Sequence, residues 1–136
     1  MVKIALKYEG DLRVNARHEP SGTKLSTDAP VDNQGRGESF SPTDLLATGL
    51  GSCMATIMGI VARREKIALE GMEIQVEKVM STDAPRRVAA LNVEIAAPVK
   101  PEQAQIEALE KAAHTCPVAQ SIHPDIKVTT RFRWGA

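Results

Sequence analysis

The stretch from Ser41 to Lys66 constrains the fold of this chain more than any other. Ser41-Pro42-Thr43-Asp44 is a strong helix start: serine is a good N-cap, proline suits the first helical position, and an acid stands at the third. Leu46, Leu50, Cys53, Ile57, Ile60 and Arg64 follow at spacings of three and four, and Arg63, Arg64 and Lys66 suit a helix C-terminus. Leu45, Met54, Met58 and Val61 make the opposite side apolar as well. A helix apolar nearly all round is a central helix, covered by a sheet and by another element or a second subunit. Gly49, Gly51 and Gly59 cost roughly 1 kcal/mol each against alanine in such a helix. They are tolerable where another backbone comes close.

Sheet segments flank this helix. Val2, Ile4, Leu6 and Tyr8 alternate with Lys3, Ala5 and Lys7, which reads as a strand with one buried face. After the Glu9-Gly10-Asp11 turn, Leu12, Val14 and Ala16 alternate with Arg13, Asn15 and Arg17, closing a hairpin. Pro20-Ser21-Gly22 turns the chain into a third strand over 23–27, and 28–40, with Pro30, Gly35 and Gly37, reads as a loop able to lie over a site. Beyond the helix, Met72, Ile74, Val76 and the segment to Met80 form a strand, and 88–95 returns with Leu91, Val93 and Ile95 on one face. Pro101 opens an amphipathic helix through Ile106, Leu109 and Ala113. Cys116-Pro117 begins a second, short one, and Ile126, Val128, Thr130, Phe132 and Trp134 alternate as a last strand. The class is α+β, a mostly antiparallel sheet packed on a long central helix.

The chain has 136 residues, which points to one domain over 1–136 with one real core. Lys plus Arg is 17 and Asp plus Glu is 17, so neither disorder nor a bulk attraction to nucleic acid is expected. An aromatic content of 3% argues against a base-stacking RNA binder. Thr48, Gly49, Gly51, Ser52, Thr56 and Gly59 interrupt the most apolar stretch, 45–62, so no membrane span is expected. The charged N-terminus lacks a signal-peptide core, which points to the cytoplasm. There, two cysteines are too few for a disulfide scaffold and would be kept reduced.

The chemistry-bearing candidates are few. Cys53 lies on the helical stripe, where a small core residue is one reading. Cys116 stands at the mouth of a short helix, where it is either a passive cap or a thiolate of lowered pKa. Spacing does not bring the two together, and no CxxC is present. His18, His114 and His123 have no metal-ligand spacing, so no metal is expected. His114 is too near Cys116 in sequence for the usual Cys-His hydrolase geometry. Arg13, Asn15 and Arg17 share one strand face, which is either a solvated face or an arginine aimed at a thiolate. Nucleotide-binding motifs are lacking.

The segment Ser41-Pro42-Thr43-Asp44-Leu45-Leu46-Ala47-Thr48-Gly49-Leu50-Gly51-Ser52-Cys53 resembles the first signature of the OsmC/Ohr family, and His114-Thr115-Cys116-Pro117-Val118-Ala119-Gln120-Ser121-Ile122 resembles the second. The order of elements fits over nearly the whole chain. The resemblance implies an OsmC-like fold in an intertwined homodimer with active sites at the subunit interface. It implies thiol-dependent reduction of organic hydroperoxides or hydrogen peroxide in oxidative-stress defence. Cys53 would be the peroxidatic thiolate and Cys116 the resolving thiol. No cofactor is implied beyond an external dithiol or lipoylated-protein reductant. The chemistry is coherent: a thiolate cleaves the O–O bond, a second thiol traps the sulfenic acid, and an arginine, which keeps its proton, holds the thiolate.

At the charged partners the sequence departs from the family. In the organic-hydroperoxide branch an acid ten positions before the first cysteine anchors the arginine; Thr43 stands there. Asp44 matches the broader OsmC-like subgroup, but nine residues at about 100° each place it half a turn from Cys53, nearer a capping role. Arg13 occupies a strand position like that of the organic-hydroperoxide branch and is favoured as the cation. Arg36, in the loop as in the osmotically induced branch, and Arg17 are rivals. The alternative functions are a noncatalytic dimeric protein holding a small apolar ligand and another thiol enzyme on the same scaffold.

Overall fold

The computed structural model describes residues 1–136, which divide into two compact units, Met1–Leu46 and Ala47–Ala136. The first is a meander of neighbours, β1 (Ile4–Gly10), β2 (Arg13–His18) and β3 (Lys24–Asp28), paired antiparallel in that order. The β1–β2 turn carries Gly10, Asp11 and Leu12 at positive φ, and β2 therefore starts at Arg13 rather than Leu12. The apolar face of β1 is not buried as its alternation suggests: Ile4, Leu6 and Tyr8 are each about 60% exposed. Alternation tells which side chains share a face, not what covers that face. A single turn of tight helix, Val31–Asn33, interrupts the loop that follows.

The long helix α1 (Pro42–Glu65) starts as its sequence dictates. The Asp44 N–H donates to Ser41 Oγ at 3.0 Å, and the Ser41 N–H donates back to Asp44 Oδ2 at 2.9 Å, a reciprocal cap. Its buried face is Ala47, Leu50, Gly51, Met54, Met58, Val61 and Ala62. The Leu46–Cys53–Ile57–Ile60 side is less covered than its apolar character suggests, and Ile60 is 57% exposed. By length and mean hydropathy (1.8 over its most apolar 18 residues) α1 would pass for a membrane-crossing segment despite its polar interruptions. Its fully buried Leu50, Met54 and Met58 make it the core helix of this fold.

The second unit pairs β4 (Glu73–Met80) antiparallel with β5 (Val88–Ala97), and β5 parallel with β6 (Lys127–Trp134). The protein thus has two three-stranded sheets where the sequence suggested one, with a parallel pair closing the second. Leu91, Val93, Ile95 and Ala97 form the buried face of β5. Helix α2 (Gln103–His114) starts two residues after Pro101, because Glu102 and Gln105 form its capping box. It buries Ile106, Leu109, Ala112 and Ala113. Burying a leucine, isoleucine or methionine side chain stabilises a fold by about 1.5–3 kcal/mol, so these faces hold the unit together. Trp134 Nε1 donates to Glu110 Oε1 at 3.1 Å, tying β6 to α2, and α3 (Pro117–Ser121) follows.

Candidate functional site

Helix α1 is seated on β4 through Gly51, whose missing Cβ would stand 2.8 Å from Val76 Cγ2 and 3.4 Å from Ile74 Cγ2. Two residues further on, half-buried Cys53 faces the start of α3. The Val118 N–H donates to Cys53 Sγ at 3.5 Å. Cys116, fully buried, is the N-cap of α3, and its Sγ accepts the Ala119 N–H at 3.4 Å. Pro117 at the first position of α3 fits this arrangement, since its absent N–H would have had no partner there. Both cysteines are free and their sulfurs share one helix start.

Burial pushes the Cys116 thiol pKa up, and the Ala119 N–H pulls part of the way back. Hydrogen bonding and charge from Cys53 raise it further. The two sulfurs accept from consecutive backbone N–H groups of α3, those of Val118 and Ala119. Cys116 is thus the cap of α3 that its position before Pro117 suggests, and Cys53 is only partly buried on α1.

The charged candidates separate clearly. Arg13, on β2, has Nη2 3.1 Å from Glu38 Oε1 and 3.5 Å from Asp28 Oδ2. Hydrogen bonding and then charge from Glu38, with Asp28 adding, push its pKa further up. Arg17 pairs with Glu19 at 2.9 Å, both side chains being close to half exposed. Arg36 is 70% exposed, 3.9 Å from Glu38. Asp44 is engaged in the cap of α1, as its angular position requires, and Thr43 Oγ1 lies 3.2 Å from Ser41 Oγ. Asn15 donates to Ser26 Oγ at 3.5 Å. The histidines have separate partners: His18 Nδ1 lies 2.6 Å from Ser21 Oγ, His114 meets the Phe132 ring edge-on, and His123 Nδ1 accepts the Asp125 N–H.

Sequence reasoning missed Asp28 and Glu38. Asp28 ends β3 directly opposite Arg13 in the strand register. The turn at Pro20-Ser21-Gly22 carried that signal, because it sets which residues of the hairpin face each other.

A family model for the OsmC-like protein matches residues 35–131, the span holding both cysteine segments. The chain belongs to the OsmC-like family. The OsmC-like architecture is shared with solved structures over nearly the whole chain. A protein of Psychrobacter arcticus 273-4, described as a candidate osmotic stress induced and detoxification response protein, is 47% identical, with a TM-score of 0.92 over 98% of this chain and 96% of its own. The organic hydroperoxide resistance protein OsmC of Legionella pneumophila is 20% identical, with a TM-score of 0.77 over 98% and 96% of the two chains. The organic hydroperoxide resistance protein OhrB of Bacillus subtilis is 15% identical, with a TM-score of 0.72 over 98% of each. These last two share the fold. No curated protein matches the sequence.

Proposed function

We propose that this OsmC-like protein is a thiol-dependent peroxidase acting on organic hydroperoxides, or on hydrogen peroxide, in oxidative-stress defence. The observation that carries the reading is the pair of free cysteines whose sulfurs both accept from the start of α3, Cys53 half-buried and Cys116 buried. The Cys53 thiolate attacks the terminal peroxide oxygen, the O–O bond breaks, and the leaving alkoxide takes a proton to become the alcohol. Cys53 is left as a sulfenic acid. The Cys116 thiol condenses with it, releasing water and forming the Cys53–Cys116 disulfide. An external dithiol, small or protein-borne, exchanges with that disulfide and is itself oxidised. Arg13 supplies the cation that holds the Cys53 thiolate.

The stress and hydroperoxide descriptions of the similar proteins support this reading. The exposed Ile4, Leu6 and Tyr8, which share one face of β1, support a homodimer, since an exposed apolar strand face of this kind marks an interaction site. The test is direct. One equivalent of cumene hydroperoxide should consume two thiols and give a Cys53–Cys116 cross-linked peptide on mass mapping, with turnover when dihydrolipoamide is supplied. Cys53→Ser should abolish peroxide consumption, and Cys116→Ser should let Cys53 proceed to the sulfinic acid. Survival of both thiols in excess peroxide would overturn the reading and favour a noncatalytic binding protein.

A further inference from the structure

The first unit holds two acids around Arg13, on β3 and in the loop after it. Strands β2 and β3 set Arg13 opposite Asp28. The Asp28 side chain is 1% exposed, and buried carboxylates are rare unless paired. Its Oδ2 accepts the Glu38 N–H at 3.0 Å and lies 3.5 Å from Arg13 Nη2. The bond to the Glu38 backbone brings the Glu38 carboxylate to the same arginine nitrogen, at 3.1 Å. The loop between them is drawn tight: Gly37 N–H donates to the Ala29 carbonyl, and a Cβ on Gly35 would overlap the Ala29 backbone. Asp28 thus organises both of the acids that meet Arg13.

The contact is one-sided. Both carboxylates meet Nη2, whereas a guanidinium carries five N–H donors in a rigid fork. Nε and Nη1 keep their donors for another anion. Neither Arg17 nor Arg36 has a buried acid to fix it. The Glu38 N–H and the Arg13 charge hold the Asp28 carboxyl below the usual carboxylate range, so the clamp stays charged wherever a thiolate is useful.

We propose that Asp28, acting with Glu38, is the positioning residue that fixes the Arg13 guanidinium with its free edge available to an anion. The inference rests on the reading that Arg13 serves Cys53. The experiment measures alkylation of Cys53 at neutral pH, mapped by mass, in Arg13→Ala, Asp28→Asn, Glu38→Gln and the pairwise combinations with Arg13→Ala. Circular dichroism checks the fold. Arg13→Ala should slow alkylation about tenfold, the change for a loss of about 1.4 kcal/mol of stabilisation. Asp28→Asn and Glu38→Gln should each slow it severalfold in the parent and not at all in the Arg13→Ala background, and Asp28→Glu should restore part of the rate. Equal slowing in both backgrounds would make Asp28 merely structural and overturn the proposal, as would full reactivity of Asp28→Asn. Should Asp28→Asn fail to fold, Glu38→Gln, at a side chain more than half exposed, decides by the same cycle. Unchanged alkylation in Arg13→Ala would instead sink the arginine reading, and this proposal with it, while leaving the two-thiol chemistry to its own test.

Discussion

Replacing Gly51 by alanine tests the seat of α1 on β4, which sets where Cys53 stands. The added Cβ would lie 2.8 Å from Val76 Cγ2 and 3.4 Å from Ile74 Cγ2. The shorter contact is one that real Cβ atoms do not tolerate, and Val76 is β-branched and stiff at χ1. Overpacking of this kind costs about 1–3 kcal/mol, while the change from glycine to alanine inside a helix returns about 1 kcal/mol. The net expectation is a loss of about 1 kcal/mol, or about 3–6 °C in Tm for a chain of this size. The informative comparison is the same substitution on a Val76→Ala background. There the 2.8 Å clash is gone, the helix-propensity gain survives, and Gly51→Ala should stabilise. The sign reverses, with a coupling of about 2 kcal/mol, within the range for residues in contact. Urea unfolding of the four proteins at one concentration reads it out. Additive effects would refute the packing argument, and so would destabilisation by Gly51→Ala on both backgrounds.

Ser41→Ala removes the acceptor for the Asp44 N–H at the start of α1 and should lower stability in the same assay by about 1 kcal/mol, with Asp44→Ala adding little on top because the two caps are reciprocal. Because burial raises the Cys116 pKa, the folded protein keeps a proton that the unfolded chain releases. This contribution is fully present below the unfolded thiol value of about 8.5 and is lost as pH rises through the folded one. Stability should therefore fall on the alkaline side, and a Cys116→Ser series of urea unfolding curves from neutral to alkaline pH should lack that part of the slope.

Local signals read well in this chain. Alternation marked β1, β2, β5 and β6, and the Ser41–Asp44 pattern placed the start of α1 at its observed residue. What depends on distant chain was not legible. Nothing in 88–95 or 126–134 says that β6 runs parallel to β5, because the pairing is settled by the helices between them. The two cysteine motifs suggested their partnership only by resemblance; in the fold both sulfurs accept backbone N–H groups at the start of α3. Asp28 escaped notice because it lies where the periodic pattern stops, and a carboxylate next to a loop reads as solvated until the hairpin register sets it against Arg13.

The Val118 N–H reaches Cys53 across 65 positions of sequence. A ribosome adding about 5–20 residues per second needs several seconds to make that interval. During it Cys53 has neither this donor nor a neighbouring thiol. The first sheet is a meander of adjacent strands and closes early, but the second must wait for β6, the last strand made, to join β5. On the peroxidase reading, a sulfenic acid formed on such an unfinished chain has no second thiol to condense with and proceeds up the irreversible oxidation ladder. Protection would then come mainly from copies finished before peroxide arrives, because chains still being translated would be consumed by the oxidant rather than consuming it.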